Sequence, residues 1–317
     1  MKVSVCITTK NEEESISSLI DSLLLQSNKA DEIVIVDALS TDKTAQIIRY
    51  RQKFDQCIKF YEKKCTRGEG RNLSVKIAKN KIIAMTDAGC VPDKDWLKNI
   101  TKPFAYRYTD VVAGFYKMKS KGALQKAMSV FLGTTPSKFD KDFLPSTRSV
   151  AFRKEIWEKV GGFDESLASA EDTDFNFRLL ENNAKFARVK KAIVEWGMPG
   201  TINEFGKKIY EYAKADASSK RFFYTDKSYT SHNVRAVLIV GRYVLGAILL
   251  ALAFTRTLLL LVLGAVFVGF LIRAYKKAFD EYKSVLVGMW SVFLQFLTDF
   301  FVMKGFMEGI WPQKKRG

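Results

Sequence analysis

The sequence is poor in the residues that build metal centres and disulfide frameworks. It has one histidine and four cysteines in 317 residues, and the cysteines form no CxxC pair. This scarcity argues against a zinc ribbon or a disulfide-stapled fold and favours a reducing compartment. The opening stretch, MKVSVCITTKNEEE, also lacks the apolar run of a signal peptide. We therefore expect the N-terminal region to lie in the cytosol.

The chain has no run of six like charges, although its formal net charge is +17. A disordered basic tail that binds nucleic acid is therefore not expected. The basic excess suits an acidic partner such as nucleic acid, anionic lipid or a phosphorylated substrate. Only the positive charge supports the hypothesis of a membrane-bound protein that binds nucleic acid, because the sequence contains no recognisable nucleic-acid module.

Strands and helices alternate along the N-terminal third. Near-continuous apolar runs predict strands at 2–9, 33–37, 57–63 and 81–87, and apolar residues at helical spacing predict helices at 12–26, 45–53 and 69–80. This alternation predicts an α/β fold with a mostly parallel sheet covered on both faces. Ligands bind such sheets at the carboxyl ends of the strands. Asp37 and Asp87 both lie there, so we expect them to face one crevice.

Long apolar runs are confined to the last third. Residues 236–272 hold two such runs separated by Arg256, each of about 16 to 20 residues and so close to the length that crosses a bilayer. We expect a membrane hairpin with Arg256 at the far turn and the basic flanks in the cytosol. For the third apolar stretch, 285–303, we expect an interfacial or partly embedded helix, with a full span as the alternative.

The predicted domains follow from these patterns. They are an α/β domain at 1–200, amphipathic interfacial helices at 201–232 and a membrane region at 233–317. The lone histidine, His232, precedes the first apolar run and is interpreted as an interfacial residue rather than a catalyst.

The stretch IVDALSTDKT places Asp37 and Ser40 directly after a strand. The carboxylate can accept a hydrogen bond from a base ring N–H, so the loop suits a nucleoside. The alternative is an ordinary loop capped by its own polar side chains.

The stretch TRGEGRNLS opens a helix with two glycines and two arginines. Exposed N–H groups and guanidinium groups suit a diphosphate. The stretch is neither a Walker loop nor a dinucleotide fingerprint. A flexible basic loop is the alternative.

The stretch TDAGC ends a buried strand at a single acid, Asp87. Two acids spaced DxD would clamp a divalent cation on a nucleotide diphosphate, but Gly89 stands in the second position. Asp87 alone could bind ribose hydroxyls or supply one metal ligand, or it could cap the next turn.

The stretch SAEDTDF places three acids at a predicted helix start. Such acids usually complement the helix dipole. The functional alternative is that one carboxylate faces the crevice as a general base.

Taken in order, these stretches resemble the family 2 glycosyltransferases of the GT-A fold. The resemblance covers about residues 1–200 and rests on ITTKNEEESI, EIVIVDALSTDKT, RGEGRNLSVKIA, TDAGCVPDKDWL and GGFDESLASAEDTDFNFRL. The later VEWGMPGTINEFGKKIYEYAKAD and the hairpin look like the membrane-attached branch that builds polysaccharides and glycolipids. The resemblance implies a GT-A catalytic domain followed by transmembrane helices, in a multi-pass cell-membrane protein with its catalytic domain in the cytoplasm.

The resemblance also implies site residues. Thr9, Glu12, Asp37 and Ser40 would surround the nucleoside of a UDP-sugar or GDP-mannose, and Arg67, Gly70 and Arg71 would lie near the diphosphate. Asp87 would be the first acid of the DxD motif. Asp172 would deprotonate a lipid-linked or glycan acceptor, assisted by Glu171, and the anomeric configuration would be inverted.

Two departures from the family pattern bear on the cofactor. Gly89 replaces the second acid, and Trp196 stands where many relatives have a metal-binding histidine. The resemblance implies Mg²⁺ or Mn²⁺ at Asp87, with Asp93 as a substitute ligand and Arg67 or Arg71 as substitute charges. Two other functions stay open: a polyprenyl-phosphate glycosyl synthase, and a non-catalytic nucleotide-sugar-binding subunit of a membrane assembly.

Overall fold

The computed structural model describes residues 1–167, 170–219, 231–253 and 256–311. The chain divides into two compact units. The first contains Met1–Lys119 and Pro136–Gly197, and the second contains Ser120–Thr135 and Met198–Gly317.

The first unit is built on one sheet. Its strands are β1 Val3–Thr9, β2 Glu32–Asp37, β3 Ile58–Glu62, β4 Ile82–Met85, β5 Cys90–Pro92, β6 Val111–Lys119, β7 Val150–Arg153 and β8 Phe186–Gly197. Its helices are α1 Ile16–Leu24, α2 Thr44–Gln52, α3 Arg67–Ile77, α4 Trp96–Thr101, α6 Lys154–Lys159 and α7 Glu171–Glu181. The second unit contains α5 Gly122–Leu132, α8 Ile202–Ser218, α9 His232–Ala253, α10 Thr257–Tyr282 and α11 Val285–Ile310.

The eight strands lie in the order β3-β2-β1-β4-β7-β6-β8-β5. Strands β1 to β4 run parallel to one another in the half of the sheet that the sequence predicted. The other half is mixed, because β7 is antiparallel to both of its neighbours and β5 is antiparallel to β8. The predicted mostly parallel α/β domain is thus confirmed, and strands β5 to β8 are the ones that the pattern did not predict.

Helix α3 and helix α7 cover one face of the sheet through a shared core. Val75 of α3, Phe152 of β7 and Phe175 of α7 are buried together in this cluster. The ring centroids of Phe163 and Phe175 are 4.4 Å apart. Burial of aromatic rings contributes a large share of the stability of such a core, so the starts of α3 and α7 are held firmly over the same strand ends.

Helix α5 belongs to the second unit, whereas the sequence analysis assigned residues 120–135 to the first domain. Its Phe131 ring packs edge-on against Phe205 of α8, and Lys277 of α10 lies 3.7 Å from the Phe131 ring centroid. The hydroxyl groups of Ser129 and Tyr282 are 2.7 Å apart. These long-range contacts assign α5 to the second unit. They could not be predicted from the amphipathic pattern of α5, because that pattern does not identify the partner helices.

Helix α8 packs closely along the C-terminal half of α11. A Cβ at Gly206 would lie 2.2 Å from the Phe301 ring, and a Cβ at Gly305 would lie 2.4 Å from the backbone oxygen of Tyr210. Small residues at these positions let the two helices approach. The predicted 201–232 region is therefore one helix as far as Ser218, and residues 220–230 lie outside the described residues.

In the described part of the chain, three helices are long and apolar enough to cross a membrane: α9, α10 and α11. Arg256 is the N-cap of α10, which agrees with its predicted place in the turn of a hairpin. The third helix extends to Ile310, beyond the predicted end at 303. His232 begins α9, and its Nδ1 lies 2.8 Å from a carboxylate oxygen of Asp216 in α8.

A polar network joins these apolar helices. Asp299 of α11 is fully buried and accepts hydrogen bonds from Arg242 over 2.6 Å, from Tyr243 over 3.0 Å and from Gln295 over 2.9 Å. The Arg242 guanidinium also lies 4.7 Å from the ring centroid of Phe270 in α10. Charged residues among apolar helices are stable when paired in this way.

Candidate active site

The carboxyl ends of β1 and β2 form the first part of the site. Thr9 and Asp37 are register partners there. Asp37 is fully buried, and its carboxylate accepts from the backbone N–H of Ser40 over 2.8 Å and from the Ser40 hydroxyl. This turn holds the acid at the strand end. The buried Thr9 hydroxyl has no hydrogen-bond partner within the described residues, which suits it to contact a bound molecule.

The loop after β1 is tied to the loop after β2. The Asn11 N–H donates to Ser40 Oγ over 2.8 Å, and the Glu12 N–H donates to Thr44 Oγ1 over 2.7 Å. The Glu12 carboxylate accepts from the Ser15 hydroxyl. The residues predicted to contact a nucleoside therefore share one edge of the sheet, as expected for the ends of neighbouring parallel strands.

Helix α3 starts with its own cap. The Glu69 N–H donates to Thr66 Oγ1 over 3.2 Å, and the Thr66 N–H donates to the Glu69 carboxylate over 2.6 Å. This capping box satisfies amide groups that would otherwise be open to an anion. Backbone amides at this helix start are consequently less available to a diphosphate than the sequence suggested.

The two glycines at the start of α3 allow close packing. A Cβ at Gly68 would lie 2.8 Å from the backbone oxygen of Asp164, and a Cβ at Gly70 would lie 2.5 Å from Cγ2 of Thr8. The absence of a side chain lets α3 approach β1 at this distance. The sequence predicts Gly70 near a diphosphate, whereas the structure explains it by helix–strand packing.

Arg71 bridges two acids from two other elements. It is buried at 4% exposure, its Nη2 donates to Asp87 Oδ1 over 3.0 Å, and its Nη1 donates to Glu171 Oε1. Asp87 follows β4 and is 32% exposed, whereas Glu171 begins α7 and is 2% exposed. Three residues that the sequence proposed separately thus form one cluster.

The charges in this cluster separate the pKa values of its acids. Burial would raise the pKa of Asp87, but the guanidinium groups of Arg71 and Arg148 outweigh burial and hold the pKa below its ordinary value. Burial raises the pKa of Glu171 against the effect of Arg71, and the nearby charge of Asp172 raises it further. The most buried acid therefore holds a proton most tightly.

Asp172 lies beside this cluster and is half-buried. Its Oδ1 accepts from the Thr173 N–H over 2.8 Å. Within helix α7, Arg178 and Asp174 form an ion pair at 2.7 Å. The helix is held in place by bonds from Arg178 Nη1 to the Val160 carbonyl and, over 2.6 Å, from the Asn176 amide to the Pro145 carbonyl. A carboxylate that is fixed at a helix start and reachable from solvent suits proton transfer.

Arg67 is the more exposed arginine of the pair that opens α3. Its side chain is 54% exposed, and its Nη1 lies 3.9 Å from Glu171 Oε1. It can therefore meet an incoming anion that the buried Arg71 cannot reach without leaving its acids.

The residues around Asp87 do not fit a metal centre. Asp87 shares its carboxylate with Arg71, and the Glu12 carboxylate near Gly89 accepts from the Ser15 hydroxyl. Gly89 offers no side-chain ligand, and the indole of Trp196 is only a donor. Asp93 is exposed, and its charged neighbours are Glu195 and Lys117. Within the described ranges no group of three or more His, Cys, Asp or Glu side chains is arranged to hold a metal ion.

Arg148 is a site residue that the sequence pattern did not predict. Cys90 of β5 pairs with Trp196 of β8, and the Cys90 N–H donates to the Asp87 carbonyl over 3.0 Å, so Trp196 lies beside the turn that follows Asp87. The Arg148 guanidinium is 4.0 Å from the Trp196 ring centroid. An isolated arginine in PSTRSV gave no pattern from which this position could be inferred.

Comparison with known proteins agrees with this geometry. Residues 4–161 match the profile of the family described as Glycosyl transferase family 2. The chain carries a family 2 glycosyltransferase domain. The catalytic class predicted from the sequence is thereby confirmed.

Two relatives illustrate the range of the family 2 resemblance. A glycosyltransferase of Methanocaldococcus jannaschii is 29% identical over 232 residues, which are 66% of this chain and 77% of the relative. The poly(ribitol-phosphate) beta-N-acetylglucosaminyltransferase TarS of Staphylococcus aureus is 31% identical over 140 residues, which are 43% of this chain. The match spans only about a quarter of TarS, at 24% of its length.

Solved structures extend the resemblance to the fold. The mannosyltransferase PcManGT of Pyrobaculum calidifontis, in complex with GDP-Man and Mn²⁺, superposes with a TM-score of 0.68 at 17% identity over 99% of this chain and 88% of its own. TarS residues 1–349 superpose with a TM-score of 0.52 at 23% identity over 67% of this chain and 64% of theirs. The GT-A fold that the sequence predicted is confirmed.

Proposed function

We propose that the protein is a membrane-anchored inverting glycosyltransferase. It moves a sugar from a nucleotide sugar to a hydroxyl of a lipid-linked or glycan acceptor at the cytosolic face of the membrane. The observation that carries this proposal is the position of Asp172, which lies at the start of α7 beside the Asp87–Arg71–Glu171 cluster.

The donor would lie along the carboxyl ends of the parallel strands. Asp37, Ser40, Thr9 and Glu12 line the ends of β1 and β2, where a nucleoside would be held. Structures with the same fold are described with UDP, with UDP-GlcNAc and with GDP-Man. A UDP-sugar or GDP-mannose is accordingly the proposed donor.

Transfer would take place in a single displacement. Asp172 accepts the proton of the acceptor hydroxyl, and the hydroxyl oxygen forms a bond to the anomeric carbon as the bond from that carbon to the diphosphate breaks. The nucleoside diphosphate leaves with the electron pair, and the anomeric configuration is inverted. Asp172 must come within about 3 Å of the acceptor hydroxyl.

The membrane attachment would come from the second unit. Helices α9 and α10 meet the length and apolarity of membrane spans. Arg273, Lys276, Lys277 and Lys283 cluster near the end of α10, and basic residues at the end of a span favour the cytosolic side. This arrangement would keep the site on the side where nucleotide sugars are made.

The test is release of nucleoside diphosphate by the purified full chain in detergent, across a panel of UDP-sugars and GDP-mannose, with extracted membrane lipid as acceptor. We expect release from one donor that depends on the lipid. Asp172→Asn should abolish release and leave donor binding by calorimetry unchanged. Glu181→Gln, at the opposite end of α7, is the matched control and should keep full activity.

Two results would contradict parts of this proposal. Near-normal transfer by Asp172→Asn would show that Asp172 is not a required general base. It would favour an acceptor that is already ionised, such as a polyprenyl phosphate. A wild-type protein that binds nucleotide sugars but transfers no sugar to lipid or glycan acceptors would favour the binding-subunit alternative.

A further inference from the structure

Arg148 is held between aromatic rings beside the proposed diphosphate position. Its guanidinium lies 4.0 Å from the ring centroid of Trp196 and 5.1 Å from that of Tyr116. The two rings themselves meet edge to face with centroids 6.1 Å apart. A guanidinium in contact with aromatic faces keeps its positive charge and its capacity to donate hydrogen bonds.

The backbone around Arg148 is also fixed. The Arg148 N–H donates to Ser146 Oγ over 3.3 Å, and the Ser149 hydroxyl both accepts from Trp96 over 2.9 Å and donates to the Ala192 carbonyl over 3.0 Å. Trp96 and Ser149 are buried. The Arg148 Nη1 also donates to Ser146 Oγ over 3.4 Å. This bond and the ring contacts position the guanidinium before any ligand binds, which lowers the entropy cost of using it.

The three arginines around Asp87 differ in burial and in position. Arg71 is buried and already shared between Asp87 and Glu171. Arg67 is half-exposed at the start of α3. Arg148 is half-buried, and its charge acts on Asp87 from the side of β8.

A divalent cation would need acceptor atoms in this place. Hard cations bind oxygen ligands. The Glu12 carboxylate lies 3.8 Å from the Cβ position of Gly89, but it already accepts from the Ser15 hydroxyl, and neither Gly89 nor the indole of Trp196 adds a side-chain acceptor. Arg148 already places a positive charge against that indole. A cation would meet repulsion there, and it would have to compete with Arg71 for Asp87.

We propose that Arg148, clamped against Trp196, stabilises the donor diphosphate and that donor binding therefore does not depend on a divalent cation. This inference rests on the proposed function. A planar guanidinium can form two parallel charge-assisted hydrogen bonds to phosphate oxygens. Negative charge grows on the leaving diphosphate as the glycosidic bond breaks, and a charge that is already positioned stabilises it without reorganisation.

The test is calorimetric binding of UDP and GDP to the full chain in detergent, with EDTA and separately with Mg²⁺ or Mn²⁺. The wild type should bind either UDP or GDP, and its affinity for that nucleotide should be the same with EDTA as with Mg²⁺ or Mn²⁺. Arg148→Gln should bind about 10- to 100-fold more weakly, as expected for the loss of charge-assisted hydrogen bonds. Arg148→Lys keeps the positive charge but lacks the planar guanidinium. Its affinity for the nucleotide should lie between those of the wild type and Arg148→Gln.

Arg49→Gln is the matched control. Arg49 pairs with Glu62 on the surface at 56% exposure, and its removal should leave nucleotide binding unchanged. Thermal unfolding of each variant checks that the fold is retained.

The outcomes separate this inference from the proposed function. Nucleotide binding that requires Mg²⁺ or Mn²⁺, or an Arg148→Gln variant that binds as well as Arg49→Gln, would overturn the role of Arg148 and leave the transferase intact. A wild type that binds no nucleoside diphosphate in any condition would count against the transferase and against this inference together.

Discussion

The guanidinium of Arg71 joins Asp87 at 3.0 Å to Glu171, across two elements that are far apart in the chain. One positive charge serves two carboxylates, with Asp172 nearby as a third. The more exposed acid, Asp87, keeps its negative charge easily, whereas the buried Glu171 gives up its proton at higher pH. The net charge of the cluster therefore depends on pH through the protonation of Glu171.

Glu171→Gln should alter the pH dependence of stability. Because burial raises the pKa of Glu171 in the folded protein above the ordinary value of 4.5, the unfolded chain loses this proton first as the pH rises. The wild type should therefore lose stability relative to the variant from about pH 4.5 upward, until the pH passes the raised pKa. Thermal unfolding of both proteins between pH 4 and pH 8 measures the difference.

The comparison variant for this experiment is Glu181→Gln, which removes an exposed carboxylate from the other end of α7. Identical pH curves for the two variants would show that Glu171 does not carry the effect.

Gly89→Asp should create a response to metal that the wild type lacks. A Cβ at position 89 would lie 3.8 Å from Glu12 Oε2, so the side chain fits and adds a carboxylate near Glu12 and Asp87. Close carboxylates repel unless a cation lies between them. At a Mn²⁺ concentration of about 100 times Kd the variant should gain about 2.7 kcal/mol in stability, measured by thermal unfolding with Mn²⁺ or EDTA.

Gly89→Ala adds the same Cβ without the carboxylate and is the matched control. An equal response of the Ala and Asp variants to Mn²⁺ would exclude a cation site at this position.

Gly70→Ala should displace helix α3. The new Cβ would lie 2.5 Å from Thr8 Cγ2 and 3.3 Å from Cys65 Sγ, so the helix or the strand must shift. We expect a loss of about 1–3 kcal/mol in stability, typical of overpacking, and weaker nucleotide binding because Arg71 moves with the helix. Chemical unfolding and calorimetry measure the two effects.

Gly197→Ala provides the comparison, because a Cβ there meets no atom within 4 Å. If Gly70→Ala matched it in stability and binding, the close approach of α3 to β1 would not explain the glycine.

Gly305→Ala should loosen the packing of α8 on α11. Its Cβ would lie 2.4 Å from the Tyr210 backbone oxygen, and a helix backbone cannot yield as a flexible side chain can. A loss of about 1–3 kcal/mol follows from overpacking, and thermal unfolding in detergent should show it as a lower midpoint.

Gly264→Ala, in α10, serves as the control because nothing lies within 4 Å of its Cβ. Equal midpoints for the two variants would mean that α8 and α11 are not held together at this contact.

Local pattern accounted for the first half of the sheet and for the helical hairpin. Strands β1 to β4 are nearly continuous apolar runs, and the length of α9 and α10 follows directly from their apolar stretches. The same local rule placed Asp37 and Asp87 at carboxyl ends of parallel strands. The mixed half of the sheet was less predictable, because antiparallel pairing of short strands such as β5 and β7 depends on partners that are distant in the chain.

The sequence by itself determined which acids lie at strand and helix ends, since hydrophobic periodicity fixes those ends locally. Only the tertiary structure decided what those acids meet. Arg71 reaches Asp87 and Glu171 because α3 packs closely on β1, and Arg148 contacts Trp196 because β6 pairs with both β7 and β8. These contacts join distant parts of the chain, and their geometry follows from packing rather than from spacing.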